Sequence, residues 1–191
     1  NTDIIADNPQ RFVVDAMYGS GRGVIKSFLQ GTGSEIVEIR GEMNPGFGGV
    51  HPEPIAKYLG PLASAVSSGV GNFGVVTDGD ADRIGAMDER GQFVDPHKIM
   101  ALSLKYLVEK RGMSGAVVRT VSTTRMIDRL AKRFGLKLYE TPVGFNHIAD
   151  YMMKENVLIG GEESGGISFM GHIPEGDGPI MGLLLVEMVA E

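Results

Sequence analysis

The chain has 191 residues, 42% of them hydrophobic and 22% charged, which suits one large or two small globular domains at roughly 100–200 residues per domain. Its net charge of −6, with no compensating basic block, argues against a nucleic-acid-binding surface. The absence of cysteine excludes disulfides and thiolate metal sites, and no apolar run approaches the ~20 residues of a membrane span. We therefore expect a cytoplasmic protein without nucleic-acid or membrane partners.

The first half of the chain predicts strands and helices in alternation after a polar, irregular start at residues 1–10. The predicted elements are a strand at 11–17, a helix at 24–29, a strand at 35–39, an irregular loop at 44–54, a helix at 55–68 interrupted by Gly60-Pro61, and strands at 73–76 and 84–88. The glycine turn at 19–23 is typical either of a phosphate-cradling turn or of a tight turn packed closely against its helix. The loop at 44–54 could line a cleft or pack between domains.

The second half repeats this alternation after a predicted boundary at residues 93–96. Its elements are a helix at 98–110, a strand at 116–121, a helix capped by Ser122 or Thr123 and stopped by Gly135, a strand at 136–140, a helix from Gly144 to Met153, a strand at 157–160 and a last helix at 177–190. The order predicts an α/β fold of two tandem small domains, residues 1–92 and 93–191, each a mixed sheet flanked by helices. Loops at the carboxyl ends of the strands should then hold the ligands, in a cleft shared by both domains.

Three aspartates two residues apart, Asp78, Asp80 and Asp82, follow the predicted strand at 73–76 directly. Their charges repel one another, and a fold tolerates this where a cation lies among them. Carboxylate oxygens are hard ligands, so Mg²⁺ or Ca²⁺ is the expected cation, with Mn²⁺ as a further candidate. Arg83 adds a planar cationic group that suits phosphate. The segment therefore predicts a metal site that faces a phosphorylated ligand.

Two other interpretations of this segment fit the residues less well. An EF-hand loop would use Asp78, Asp80, Asp82 and Glu89 as ligands, but it requires glycine where Arg83 stands, and helices where the pattern predicts strands. A phosphatase with an aspartate nucleophile would use Asp78 to attack phosphorus and Asp80 to handle the proton of the leaving group. A third carboxylate and an arginine favour metal binding over nucleophilic attack.

The string Asp-Gly-Asp-Ala-Asp-Arg at 78–83 resembles the metal loop of the α-D-phosphohexomutases, the phosphoglucomutase and phosphomannomutase family. The resemblance extends to three further segments. Gly-Glu-Glu-Ser-Gly-Gly at 161–166 is similar to the family's sugar-recognition loop. Thr-Pro-Val-Gly-Phe at 141–145 resembles the loop that precedes a helix of the third domain, and Asp177-Gly178 resembles the pair that opens the last helix. The spacing covers nearly the whole chain and corresponds to the second and third of the family's four domains.

The resemblance implies that the chain is part of an enzyme that interconverts hexose 1-phosphate and hexose 6-phosphate, through a phosphoserine and a hexose bisphosphate intermediate. It implies that Asp78, Asp80 and Asp82 bind Mg²⁺ and that Arg83, the catalytic candidate, steadies a phosphate. Four residues of the second half are implied to bind the substrate. Glu162 and Ser164 would hold sugar hydroxyls, with Glu163 turned away, and Gly144 and Asn146 would contact the ligand nearby.

The sequence also departs from the family pattern. Asn146, Met170 and Gly176 stand where relatives often carry a basic residue, which weakens attraction for a phosphate dianion. No serine loop resembling Ser-His-Asn-Pro occurs in the 191 residues, so the phosphoserine is expected in a missing first domain, and a fourth domain is missing as well. We expect the chain alone to be inactive, and the alternative is a metal- or phosphosugar-binding module without turnover.

Overall fold

The computed structural model describes all residues from 1 to 191, and they form two compact units. Unit 1 comprises Asn1–Asp95 together with Gly178–Glu191, and unit 2 comprises Pro96–Asp177. Each unit contains one mixed β-sheet with helices on both faces, as the alternating pattern predicts. No helix of the structure has the length and apolar character needed to cross a membrane.

Unit 1 is built on a five-stranded sheet in the order β2-β1-β3-β4-β5, in which β1, β2 and β3 are parallel and β4 and β5 are antiparallel to their neighbours. Its strands are β1 (Arg11–Asp15), β2 (Glu35–Ile39), β3 (Gly74–Thr77), β4 (Ile84–Met87) and β5 (Phe93–Val94). Its helices are α1 (Thr2–Asp7), α2 (Val24–Phe28), α3 (Gly60–Ser67) and α7 (Gly178–Ala190), with single 3-10 turns at Phe47–Gly49 and Ala56–Tyr58.

Adjacent residues of the central strands send their side chains to opposite faces of this sheet. One face packs against α3, where Leu62 and Val66 join Val76 in a buried cluster. The other face packs against α7, whose Gly182 lies over the side chains of Ile25 and Ile84. The sheet is thus covered on both sides, which explains why every residue of β3 and β4 is buried and why all but Thr77 are apolar.

Unit 2 is built on a four-stranded sheet in the order β7-β6-β8-β9, with β6, β7 and β8 parallel and β9 antiparallel to β8. Its strands are β6 (Ala116–Thr120), β7 (Leu138–Thr141), β8 (Val157–Gly161) and β9 (Ile167–Phe169), and its helices are α4 (Pro96–Glu109), α5 (Met126–Arg133) and α6 (Phe145–Lys154). The glycines at the end of β8 admit helices closely on both faces. An added Cβ would lie 2.4 Å from Ile148 of α6 at Gly160 and 3.0 Å from Met100 of α4 at Gly161.

Two local predictions are wrong, that of an irregular start and that of the cap of α5. Residues 2–7 form a helix because the Asn1 side chain accepts from the Asp3 amide as an N-cap. The boundary predicted at 93–96 agrees with the division between the two units after Asp95, and residues 93–94 of that range form the edge strand β5, which pairs with β4. Neither Ser122 nor Thr123 caps α5, because their hydroxyls are hydrogen-bonded elsewhere. Gly135, at φ 66°, ends α5 as predicted.

Candidate functional site

The metal-loop candidate, residues 78–83, connects the antiparallel strands β3 and β4 in a tight hairpin whose last pair is Thr77–Ile84. Asp78 follows the end of β3 and is fully buried, whereas Asp80 is exposed and the Asp82 side chain is 50% exposed. One oxygen from each carboxylate lies within 4.8 Å of the others. The structure thus brings the three predicted ligands together on one side of the loop.

The acidic cluster has the properties of a cation site. Asp82 Oδ1 is buried and has no hydrogen-bond partner among the protein atoms. Partial burial, together with the charges of Asp78 and Asp80, raises the pKa of Asp82 to about 6. Three hard oxygen donors, one of them unsatisfied, fit a cation of the Mg²⁺ type.

Arg83 is the counter-ion that the protein itself supplies to this cluster. Its backbone amide donates to Asp78 Oδ1 at 3.1 Å and its Nε donates to Asp78 Oδ2 at 2.6 Å. Its guanidinium also lies 3.7 Å from Asp82 and 3.6 Å from Glu53. Although burial opposes the charged form, the hydrogen bond and charge of Asp78 raise the pKa of Arg83 above its usual value. The Asp78 carboxylate is therefore fixed in orientation before any cation binds.

The glycine turn after β1 supports this loop instead of cradling a phosphate. Three of its amides already have protein acceptors: Gly19 N donates to Ala16 O at 2.7 Å, Ser20 N to Gly79 O at 2.9 Å and Gly23 N to the Glu38 carboxylate at 2.7 Å. A Cβ at Gly19 would lie 2.5 Å from the Asp78 carbonyl oxygen. Of the two interpretations of this turn, the structure favours close packing, and its contact is with the metal loop.

The irregular loop at 44–54 covers another side of the metal loop within unit 1. Pro52 O accepts from Gly79 N at 3.1 Å, and the side chains of Phe47 and Pro52 lie 3.5 and 3.0 Å from where a Cβ of Gly79 would be. Gly79 is therefore enclosed, and a side chain between the two aspartates would require the Pro52 ring to shift.

We expect Asp82→Asn to stabilise the metal-free chain. The raised pKa of Asp82 means that its charged form destabilises the fold fully above pH 6, and that this penalty disappears as pH falls from about 6 to below 4. After a discount for solvent screening, the gain at pH 7.5 should be about 1 kcal/mol. Urea unfolding at several pH values measures it, with the exposed Glu89→Gln as the control. A gain in the free energy of unfolding that persists at pH 3.5, or a loss at pH 7.5, would show that the charge of Asp82 is not what destabilises the fold.

The sugar-loop candidate, residues 161–166, connects β8 and β9 in unit 2. Ser164 Oγ donates to Glu162 Oε1 at 2.7 Å, so the two predicted sugar ligands lie side by side. Glu162 Oε2 is buried and has no hydrogen-bond partner among the protein atoms. An unsatisfied carboxylate oxygen is unfavourable unless a donor such as a hydroxyl arrives.

Glu163 points to other partners, as the resemblance implies. Its carboxylate accepts from Thr120 Oγ1 at 3.0 Å and from Ser122 Oγ, which ties the sugar loop to the end of β6. Although burial opposes ionisation, the hydrogen bonds from Ser122, from its own backbone amide and from Thr120 lower the pKa of Glu163. Glu163 therefore anchors the loop. The sequence pattern contains no sign of this contact, because Thr120 and Ser122 are distant in the chain.

The loop before α6 lies against the sugar loop. A Cβ at Gly166 would come 3.3 Å from the Phe145 ring and 3.5 Å from Glu162 Oε1. Gly144 precedes the helix at φ 126°, a backbone conformation that favours glycine. Asn146 is exposed on the first turn of α6. The parallel strands β7 and β8 bring both predicted substrate loops to the same edge of the sheet.

The other two positions at which the resemblance led us to expect a basic residue lie after β9. Met170 is half-buried and its amide donates to Leu158 O at 2.8 Å, while Gly176 lies in the loop before α7. Unit 2 does hold one buried cation that sequence reasoning missed. Arg119, 1% exposed, forms ion pairs with Asp128 and Glu140 at 2.7 and 2.8 Å, so its charge is already compensated.

Comparisons with known proteins agree with this combination of fold and loops. The sequence model of the phosphoglucomutase/phosphomannomutase alpha/beta/alpha domain II matches residues 1–91, and that of domain III matches residues 95–191. The chain therefore belongs to the phosphoglucomutase/phosphomannomutase family, whose members are mutases.

Curated relatives include a phosphoglucomutase/phosphomannomutase from Thermococcus kodakarensis, 33% identical over 94% of this chain and 39% of the relative. A phosphoglucosamine mutase from Carboxydothermus hydrogenoformans is also 33% identical, over 94% of this chain and 40% of the relative. A crystal structure from Thermus thermophilus, of a protein assigned as a phosphomannomutase, superimposes on the whole chain with a TM-score of 0.93 at 38% identity, and the match covers 44% of that protein. The chain thus spans about 40% of the length of its curated relatives.

Proposed function

We propose that this chain supplies the metal-binding and sugar-binding domains of a phosphohexomutase that interconverts the 1- and 6-phosphates of glucose, mannose or both by intramolecular phosphotransfer. The observation that carries the proposal is a pair of unsatisfied carboxylate oxygens. Asp82 Oδ1 lies in the metal-loop candidate and Glu162 Oε2 in the sugar-loop candidate. Each lies in a domain that matches a family model, and in a loop whose motif resembles a ligand loop of that family.

The metal loop would contribute by charge. We propose that Asp78, Asp80 and Asp82 hold Mg²⁺, and that a phosphoserine on the first domain of the longer protein completes the site. Bound Mg²⁺ would neutralise charge on the transferring phosphoryl group, which is the main requirement of such chemistry. Arg83 would steady a phosphate with its terminal nitrogens, because its Nε is already committed to Asp78.

The sugar loop would contribute by orientation. Glu162 would accept a hydrogen bond from a sugar hydroxyl through Oε2, and Ser164 would act as donor or acceptor beside it. Both contacts suit a substrate that must bind in two orientations, with either its 1- or its 6-oxygen at the reacting phosphate. Gly144 and Asn146 would border the same ligand, and the hexose bisphosphate would be the intermediate. The Glu-Glu-Ser-Gly-Gly string favours glucose and mannose phosphates over glucosamine phosphate by resemblance alone.

The greater length of the relatives supports turnover over a binding module, and we propose that a first and a fourth domain are partners of this chain in the same protein. This chain alone should bind its ligands without turnover. The lack of cysteine and the small-molecule chemistry support a cytoplasmic location as part of the proposal.

We expect Glu162→Gln to lower kcat/KM for glucose 1-phosphate and mannose 1-phosphate by about 10- to 150-fold, since a hydrogen bond to a charged group contributes about 1.5–3 kcal/mol. The assay uses this chain within the four-domain protein, with glucosamine 1-phosphate as the comparison substrate. The control is Glu155→Gln, which removes an exposed carboxylate after α6. Equal activity of the two variants would show that Glu162 does not bind the substrate. A preference for glucosamine 1-phosphate would show that the proposed sugar is wrong.

The aspartate-nucleophile phosphatase remains the alternative chemistry, and one observation opposes it. Asp78 is 0% exposed and both its carboxylate oxygens accept from Arg83, so neither is presented to an incoming phosphorus. Incubation with a phosphosugar or acetyl phosphate, followed by acid quench and mass spectrometry, should detect no acyl-phosphate on Asp78. A phosphorylated Asp78 peptide would support the phosphatase instead.

A further inference from the structure

The last helix, α7, begins at Gly178, directly after unit 2 in the chain, yet it packs within unit 1. Its first residue contacts the metal loop. The Gly178 amide donates to the Ala81 carbonyl oxygen at 2.9 Å. The loop at residues 78–83 is therefore hydrogen-bonded to a helix that lies far away in sequence.

Glycine is required at position 178 because a side chain has no room there, and not because of the backbone conformation. A Cβ at Gly178 would lie 2.5 Å from Arg83 O, 2.9 Å from Thr77 Cγ2 and 3.0 Å from Ala81 O. Two of these atoms belong to the backbone of the loop, which cannot move aside as a flexible side-chain tip can. Any larger residue must push the helix and the metal loop apart.

The carbonyl that Gly178 holds belongs to the most strained residue of the loop. Ala81 has φ 68°, a left-handed conformation that residues other than glycine rarely adopt, and it lies between Asp80 and Asp82. Such a conformation persists only where the surrounding structure imposes it. The turn at Ala81 directs the second and third carboxylates of the cluster, so its restraint bears directly on their geometry.

We propose that Gly178 is a positioning residue for the metal site: through its amide and its missing side chain, it holds Ala81 in the conformation that places Asp80 and Asp82 beside Asp78. The metal site would then depend on two segments that are distant in sequence. Its ligands come from residues 78–83, and its support comes from α7, which follows unit 2 in the chain. This inference rests on the proposed function in taking residues 78–83 as the Mg²⁺ site. It also explains why the last helix begins with a glycine.

The chain offers a matched pair of substitutions in one helix. Gly178→Ala should weaken Mg²⁺ binding by at least about tenfold, a loss typical of removing support behind a ligand. Gly182→Ala, one turn further along α7, meets only the flexible end of Ile25 at 2.8 Å and the Ile84 tip at 3.7 Å, and should retain the affinity. Isothermal titration of the intact chain with MgCl₂ measures both, and urea unfolding confirms that both variants fold. Equal affinities in the two folded variants would overturn the proposal.

Hydrogen exchange of the Arg83 amide tests the positioning without any metal. That amide donates to Asp78 Oδ1 and reports the loop geometry. In metal-free chains its protection should fall by about tenfold or more in Gly178→Ala and stay unchanged in Gly182→Ala. If the wild type binds no Mg²⁺, the proposed metal function fails, and this exchange result still decides the positioning claim. Unchanged protection in Gly178→Ala would overturn it.

A wild-type measurement covers the case in which Gly178→Ala does not fold. The amides of Gly178 and Arg83 should then open together in native-state exchange, with the same dependence on urea, because one structural unit holds both. A Gly178 amide that exchanges freely while that of Arg83 stays protected would overturn the inference.

Discussion

Mutual repulsion of three carboxylates at the end of β3 is the constraint that the rest of unit 1 accommodates. Asp78 is buried and Arg83 compensates it, but Asp80 and Asp82 share no such partner at hydrogen-bond distance. Glycines at 19, 79 and 178 let three separate segments approach the loop backbone. The fold therefore holds like charges close together at a cost in stability, and an added cation is the most direct way to offset that cost.

Unit 2 presents its candidate ligands by a different means. The sugar loop is held by neutral hydroxyl donors, Thr120 and Ser122, which bond the Glu163 carboxylate. This leaves the neighbouring Glu162 with one oxygen engaged by Ser164 and the other without a partner. Two adjacent glutamates thus have different tasks, because one is saturated by the protein and the other is open to a ligand. Positioning by hydrogen bonds suits the recognition of sugar hydroxyls, as charge suits the recognition of a metal.

Residue patterns predicted the sheets well, since apolar strands buried on both faces and the Gly60-Pro61 helix restart are local signals. The aspartate spacing likewise predicted the cluster, because alternate residues of a short hairpin converge. Contacts between distant segments were not predictable. Examples are the Glu163 anchor, the Arg119 ion pairs and the return of α7 to unit 1. The helix at residues 2–7 was missed because its Asn1 cap is a single hydrogen bond and because it packs against α7, which lies far away in sequence. The domain limits at residue 92 and the site roles stay predictions.

The central claim, that Asp78, Asp80 and Asp82 form a Mg²⁺ site, is tested most directly by titration of the chain with MgCl₂. Asp80→Asn removes the most exposed ligand and leaves the Asp78–Arg83 pair intact, so it isolates cation binding from folding. The control is Glu89→Gln, which also removes one negative charge, at an exposed position of the same unit. We expect the wild type and the control to bind Mg²⁺ alike and Asp80→Asn to bind it at least about tenfold more weakly. Equal binding by wild type and Asp80→Asn would contradict it.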